Sequence, residues 1–232
     1  MRANQHFPDT RESLVQALAG NGSRAMDLVG RAYRVPVIAL LERKWMLQHE
    51  DAEDLAHEFF AAAIEKNWLM RYDASRGKFR TFLRSCLIAF AAEQHERANR
   101  LKRGGRAQHE SLNAETEALE SDSVADALFD REWMRSVLQI ALDALHDESA
   151  ENNKEIAFKL FEQYDVVGSE AEFQPTYAEL ANSFGLPVTQ VTNYLAWARR
   201  RFREHVLQTV RALTGSEVEY REEVRALLGI NV

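Results

Sequence analysis

Residues 176–203 read TYAELANSFGLPVTQVTNYLAWARRRFR, and this stretch decides the fold class. Thr176 followed three residues later by Glu179 is a capping box, which predicts the start of a helix. Gly185 permits a tight turn after that helix, and Pro187 fits the first turn of a second one. The pattern predicts a helix-turn-helix.

The second helix of this motif has two different faces. Its apolar residues recur at helical spacing, whereas hydroxyl, amide and guanidinium groups share the opposite face. Such groups suit reading base edges in the first turns and gripping phosphates in the last. The candidate DNA-contacting residues on this face are Thr189, Thr192, Asn193, Ala196, Arg200 and Arg203. A merely structural helical hairpin is the alternative.

Helical periodicity also dominates outside this motif, and strand-like alternation is scarce. The sequence therefore predicts an all-α protein. The expected helices run from about Ser23 to Gln48 with a kink at Pro36, Asp51 to Trp68, Phe79 to Phe90, Ala92 to Leu101, Asp130 to His146, Glu151 to Tyr164, Tyr177 to Phe184, Val188 to Leu213 and Glu217 to Leu228.

Composition narrows the class of protein further. The chain has 232 residues, 46% of them apolar, and a single cysteine, Cys86, which excludes an intrachain disulfide framework and a cysteine-rich zinc site. No apolar run approaches the length of a membrane span, and no signal-peptide core follows Met1. We expect a cytoplasmic protein with no membrane partner.

Charge is distributed very unevenly along the chain. The formal total is −7, but residues 27–106 hold 15 basic against 11 acidic residues, and residues 176–212 hold five against two. Residues 107–175 hold only four basic against 17 acidic residues. Two basic blocks thus flank an acidic middle, and the total does not exclude a nucleic-acid partner.

The same pattern predicts two small helical domains joined by an acidic linker, the second containing the helix-turn-helix. Gly104 and Gly105 end a basic helix, and the Glu-, Ser-, Asn- and Asp-rich stretch after them favours a flexible tether over an acidic surface helix. The predicted parts are an N-terminal extension (1–22), a first domain (23–106), the linker (107–130), a second domain (131–212) and a C-terminal helical extension (213–232).

The segment DAEDLAHEFF, residues 51–60, predicts a helix with a line of carboxylates opposite an aromatic face. Asp51, Asp54, Glu58 and Glu65 fall on one stripe at 100° per residue. A partner carrying cations would fit this stripe. A simple solvated helix face is the alternative.

The segment from Arg76 to Arg106 is strongly basic and holds aromatic residues. It has nine Lys or Arg against two Glu, interleaved with Phe79, Phe82 and Phe90. Cations beside aromatic rings suit single-stranded nucleic acid, because phosphates and unstacked bases both find partners there. Phe79 and Phe82 fit a core, and Phe90 is the candidate for an exposed ring.

In this order, the three segments resemble the extracytoplasmic-function (ECF) group of bacterial sigma-70 transcription initiation factors, over about residues 20–210. DAEDLAHEFF (51–60) is similar to the family's acidic helix, which binds the clamp coiled coil of core RNA polymerase. GKFRTFL (77–83) looks like its promoter-melting region, and residues 177–199 resemble its C-terminal helix-turn-helix.

The resemblance implies a non-enzymatic factor without a cofactor, whose partners are core polymerase and promoter DNA, both duplex and melted. It implies polymerase contacts at Asp51, Glu53, Asp54, Leu55 and Glu58. It implies that a loop at Ala89–Glu93 captures a flipped base of the minus-ten element. It also implies that the helix-turn-helix residues above, together with Gln190 and Arg199, dock on the minus-thirty-five element. The implied minus-ten contacts are Lys78, Arg80, Arg84, Ala89, Phe90, Ala91, Glu93, Arg97 and Arg100.

The junction at 102–105 and the helix after residue 213 also look like a subgroup associated with Ser/Thr protein kinases. A kinase or an anti-sigma protein is thereby an expected regulator. Asp51 supplies a carboxylate where that subgroup can carry a phosphorylatable Thr, which implies polymerase binding without phosphorylation unless Asp51 is itself an engineered phosphomimetic.

Two classes of function other than a sigma factor also fit parts of this sequence. A stand-alone helix-turn-helix repressor with an N-terminal oligomerisation domain would bind duplex DNA without polymerase. A metalloenzyme would use Asp51, Asp54, His57 and Glu58 as ligands, but no HExxH or other strict ligand motif is present.

Overall fold

The computed structural model describes residues 23–103, 114–168 and 174–229, and this part of the chain is all-α. It has no strand and eight α-helices. These are α1 (Ser23–Trp45), α2 (His49–Glu65), α3 (Phe79–Arg103), α4 (Ala114–Glu151), α5 (Glu155–Phe161), α6 (Tyr177–Phe184), α7 (Val188–Leu213) and α8 (Glu217–Leu228). A 3-10 turn (Trp68–Arg71) follows α2, and a π-helical segment (Glu162–Val167) continues α5.

The described residues divide into two compact units. Unit 1 contains the residues up to Ser136 together with those from Val210 onward, and unit 2 contains Val137–Thr209. Residues of α8 thus belong with the N-terminal helices, although the sequence predicted a separate extension. The functional boundaries predicted above concern polymerase and DNA contacts, and they stay predictions.

Unit 1 is built around aromatic side chains. The ring of Tyr33 lies 5.7 Å from Phe79, 6.3 Å from Phe129 and 6.4 Å from Trp133, centroid to centroid. All four side chains are at most 1% exposed. Burial of this much aromatic surface fixes α1, α3 and α4 against one another.

Unit 2 has a core of its own, formed by the end of α4 with α5, α6 and α7. Its buried residues are Leu145, Phe158, Leu160, Phe161, Leu180, Ala181, Val191, Leu195 and Ala198. Phe202 packs on Phe161 at 5.2 Å between ring centroids. This core sets the two helices of the helix-turn-helix in place.

The predicted flexible linker is wrong from Ala114 onward, because that stretch is the first part of α4. Ala125, Phe129 and Trp133 recur every four residues and are at most 1% exposed, so this helix is held by an apolar stripe. The many acidic residues in this stretch made the apolar stripe difficult to recognise in the sequence. Residues 107–113 of the predicted linker, and the N-terminal extension 1–22, lie outside the described residues.

Candidate functional site

The carboxylates of α2 line one exposed face of the helix. Asp51, Asp54 and Glu58, which we call the acidic stripe, are exposed and form no ion pair with any residue that the structure describes. The opposite face is buried in unit 1 through Ala52, Ala56, Phe59 and Ala63. The predicted amphipathic helix is confirmed, although it begins at His49, so that Asp51 lies in the first turn.

Glu53 differs from the acidic stripe because it already has a partner. Its Oε1 accepts a hydrogen bond from Arg34 Nη2 at 2.6 Å, and the side chain is one-third exposed. Leu55 is half-buried. The five predicted polymerase contacts are thus three exposed carboxylates, one paired carboxylate and one partly covered leucine.

A cavity of about 250 Å³ adjoins the acidic stripe. Its lining combines apolar and small residues from the α1–α2 turn and from α3 with three carboxylates: Trp45, Leu47, Asp51, Asp54, Leu55, Glu58, Ala91, Gln94, His95 and Ala98. Met46, in the same turn, has a left-handed φ of 54° and is 80% exposed. Together these residues form an apolar patch edged by negative charge, which suits a helix carrying both apolar and cationic side chains.

The basic segment at the start of α3 is largely neutralised within unit 1. Lys78 Nζ lies 3.0 Å from Glu222 and 3.1 Å from Glu223, and Arg80 Nε lies 3.3 Å from Glu223. Arg84 pairs with Asp126 at 3.2 Å. The side chains of Arg80 and Arg84 are only 13% and 17% exposed, so two of the predicted minus-ten contacts are covered in this structure.

The predicted base-capture loop at Ala89–Glu93 is wrong, because these residues lie inside the continuous helix α3. Phe90 is 5% exposed, with its ring 5.8 Å from Phe59 and 5.9 Å from Trp68, and Ala91 is 1% exposed. Leu83 and Leu87 precede Phe90 at helical spacing, so Phe90 continues an apolar stripe into the core.

The other predicted minus-ten residues in this helix stay on its surface. Ala89, Glu93 and Arg97 are exposed, and Arg97 donates to Glu93 one turn away at 2.6 Å. The side chain of Arg100 lies outside the described residues. An exposed i,i+4 pair of this kind contributes little stability and leaves Arg97 accessible.

A cavity of about 380 Å³ lies where the 3-10 turn approaches the start of α3. Tyr72 and Phe82 form aromatic walls, with ring centroids 5.6 Å apart, and Arg71, Arg76 and Lys78 supply positive charge. Asp73, Gly77, Thr81 and Ser85 complete the lining. Arg71, Thr81 and Ser85 were not predicted as site residues from the sequence. The 3-10 turn brings Arg71 beside the segment around Lys78, whereas Thr81 and Ser85 lie on α3 itself.

The Tyr72 ring in this cavity is fixed at its hydroxyl. That hydroxyl lies 3.0 Å from Gly77 O and 2.9 Å from Glu219 Oε2, either of which can accept its hydrogen. Asp73 holds the adjoining turn, because its Oδ1 accepts from Ser75 N–H at 2.9 Å and from the Ser75 hydroxyl at 2.7 Å. These two bonds lower the pKa of Asp73.

The helix-turn-helix of unit 2 has the predicted bounds in both helices. The capping box is present: Glu179 N–H donates to Thr176 Oγ1 at 3.2 Å, and Thr176 N–H donates to Glu179 Oε2 at 2.7 Å, which lowers the pKa of Glu179. Gly185 has the left-handed φ of 64° that the turn requires. The local sequence signals are thus sufficient for this motif.

Most of the predicted DNA-reading residues share the exposed face of α7, namely Thr189, Thr192, Asn193, Ala196, Arg200 and Arg203. Gln190 is half-buried and donates to the Tyr194 hydroxyl at 2.8 Å. Arg199 is held by Asp165, with Nε 2.9 Å from Oδ2, and this bond raises the pKa of Arg199. Gln190 and Arg199 therefore have intramolecular partners in this structure.

Two further observations concern the chemistry available to the chain. Within the described ranges, no group of three or more His, Cys, Asp or Glu side chains converges so as to hold a metal ion. None of the helices described is long and apolar enough to span a membrane.

Comparison with known proteins gives one family. The family model described as ECF sigma factor matches residues 34–208, which include both the acidic stripe and the helix-turn-helix. No curated protein and no solved structure matches the chain.

Proposed function

The chain belongs to the ECF sigma factor family, a family of RNA polymerase sigma factors, and we propose that its acidic stripe binds core polymerase. The observation that carries this proposal is the set of exposed carboxylates at Asp51, Asp54 and Glu58, none with an ion pair in the described chain, beside an apolar cavity. The cationic side chains of a partner helix would pair with these carboxylates, and the apolar side chains of the same helix would enter the cavity.

Promoter DNA is the proposed second partner, reached through both units. The exposed polar face of α7 fits the major groove of the minus-thirty-five element, because hydroxyl and amide groups precede Arg200 and Arg203 along it. In unit 1 the cavity lined by Phe82 and Thr81 is the proposed site of an unstacked base, with Arg71 and Arg76 beside it for phosphates. Holding the strand there would favour its open form.

Charge reversal in the acidic stripe tests the first contact. We expect Asp51→Lys and Asp54→Lys to abolish binding of core polymerase, since each removes an attraction and adds a repulsion within one helix face. Binding is measured by co-purification of the full-length chain with core polymerase.

A matched control is Glu155→Lys, which makes the same charge change at an exposed position of unit 2. It should bind polymerase like the unmodified chain, and circular dichroism should show all variants equally helical. Unchanged polymerase binding by both stripe variants would refute the assignment.

A further inference from the structure

Acidic side chains of helix α8 contact the start of α3. Glu219 is 5% exposed and accepts hydrogen bonds from Phe79 N–H at 2.6 Å and from Gly215 N–H at 2.7 Å, with the Tyr72 hydroxyl at 2.9 Å. Phe79 is the first residue of α3, so its N–H has no acceptor within that helix. Glu219 therefore caps α3 from a distant part of the chain.

Apolar contacts add to this docking. Tyr220 is 7% exposed and Val224 is fully buried on the same helix. The cap, Tyr220 and Val224 each contribute to holding α8 in unit 1.

Glu222 and Glu223 form ion pairs with basic side chains at the start of α3. Glu223 is 1% exposed and lies between Lys78 Nζ, at 3.1 Å, and Arg80 Nε, at 3.3 Å. Glu222 lies 3.0 Å from the same Lys78. Lys78 and Arg80, two of the predicted minus-ten contacts, thus already have anionic partners.

The position of Glu223 is an unfavourable one for a carboxylate. Both of its oxygens are buried, and apart from the ion pairs with Lys78 and Arg80 neither has a hydrogen-bond partner among the described residues. Burial raises the pKa of Glu223 despite the nearby Arg80 and Lys78. A buried ion pair without supporting hydrogen bonds recovers little of its desolvation cost, so exchange of Glu223 for a solvated phosphate is energetically accessible.

We propose that α8 is an intramolecular competitor of the promoter strand: Glu222 and Glu223 occupy Lys78 and Arg80 in the chain alone, and a strand must displace them to bind. This inference rests on the proposed function, because it assumes that the strand meets the start of α3. It adds that α8 regulates binding of the strand at the start of α3.

The test uses the full-length chain with Glu222→Gln and Glu223→Gln combined, and a fluorescein-labelled single-stranded oligothymidine as probe. Fluorescence anisotropy should show on the order of tenfold tighter binding at low salt, because Lys78 loses both carboxylate partners, whereas Arg80 keeps Asp130 at 3.6 Å. The slope of log K against log salt should become steeper by about 0.7, the value for one phosphate contact on a single strand.

The matched control is Glu217→Gln, on the same helix. Glu217 pairs with Arg211 and Arg221 and forms no ion pair or hydrogen bond with a described residue of α3, so its loss removes a negative charge from α8 without removing a partner of Lys78. Equal binding by the double variant and the unmodified chain would overturn the proposal. An equal gain in the double variant and in Glu217→Gln would also overturn it, since charge alone would then explain the effect.

Two more variants keep the outcomes distinct. If the buried substitution at Glu223 impairs folding, Glu222→Gln alone, at a 53% exposed side chain, should still tighten binding about threefold, and no gain overturns the proposal. Arg76→Gln, which lines the proposed strand cavity, should weaken binding in every background. A weakening by Arg76→Gln without a gain in the double variant rejects the competitor and keeps the proposed function, whereas no effect of either rejects both.

Discussion

At the scale of single residues, Gly215 shows how closely unit 1 is packed around Tyr72. A Cβ at this position would lie 2.4 Å from Tyr72 Cε1 and 2.9 Å from its hydroxyl oxygen. The ring cannot move aside easily, because its hydroxyl is hydrogen-bonded and the ring packs against Phe79 and Phe82. Glycine is therefore required here for space rather than for backbone conformation.

We expect Gly215→Ala to destabilise the chain by about 1–3 kcal/mol, the usual cost of overpacking. The measurement is urea unfolding followed by circular dichroism. Gly30→Ala is the control, because nothing lies within 4 Å of a Cβ built there in α1, and it should stabilise by about 0.4–1 kcal/mol. Equal changes in the free energy of unfolding for Gly215→Ala and Gly30→Ala would show that the Tyr72 ring moves aside.

The candidate site was only partly predictable at this scale. Asp51, Asp54 and Glu58 could be placed on one exposed face because helical geometry alone decides that. Arg80 and Arg84 could not be recognised as covered, since their partners lie as far away as Glu223 and no local signal announces such pairs. Phe90 was misplaced for the same reason: its neighbours Phe59 and Trp68 belong to other elements.

At the scale of elements, the most predictable helices were those with local start and stop signals. The bounds of α6, α7 and α8 agree with the predicted ones, because Thr176, Gly185, Pro187 and Gly229 mark them chemically. The sequence predicts two helices meeting at Phe90 where α3 is continuous, and a start at Asp130 where α4 begins 16 residues earlier, directly after Asn113, a residue type common at N-caps. Apolar side chains buried against other elements extend both helices beyond the predicted bounds.

A carboxylate on α4 ties that helix to α7 inside unit 2. Glu148 accepts from Arg201 Nε, 2.7 Å from its Oε1, and its Oε2 lies 2.7 Å from His205 Nε2. Burial acts to raise the pKa of Glu148, but the bonds from Arg201 and His205 outweigh burial, so this pKa lies below its usual value of 4.5. The charged form is thus favoured by folding.

We expect Glu148→Gln to lower the free energy of unfolding by about 1–3 kcal/mol at neutral pH, since a bond to a charged group is lost. A lowered folded-state pKa contributes stability above the unfolded value, and that contribution disappears as pH falls through the folded-state pKa. The difference between the variant and the unmodified chain should therefore shrink as pH falls below 4.5. Urea unfolding at several pH values measures it.

Glu151→Gln provides the comparison for this prediction. Glu151 is exposed near the end of the same helix and has no ion pair with a described residue. Its replacement should change stability little at any pH. A pH-independent cost of Glu148→Gln would show that shape or packing, rather than charge, accounts for its role.

At the scale of the whole molecule, the charge of −7 predicts weak affinity of the chain alone for duplex DNA. We expect DNA fragments selected by pull-down of core polymerase with this chain, and identified by sequencing, to bind the chain alone only with non-specific affinity, about 10⁻⁴–10⁻⁶ M. Addition of core polymerase should give specific retention and promoter-dependent transcripts.

The same experiment separates a sigma factor from a stand-alone repressor. Electrophoretic mobility shift of the selected fragments should require core polymerase at physiological salt. Tight and sequence-specific binding by the chain alone, without any effect of polymerase, would favour the repressor and contradict the function proposed from the acidic stripe.

Unit 1 draws on both ends of the described chain, and Glu219 lies 140 residues beyond the Phe79 amide that it caps. During translation every residue of unit 2 is made before α8, and domains fold as their residues emerge from the ribosome. Until α8 is made, the nascent chain therefore lacks the Glu219 cap of α3 and the two carboxylates that pair with Lys78, and this cation is free to bind phosphates of the ribosomal RNA nearby. Synthesis of α8 ends that stage.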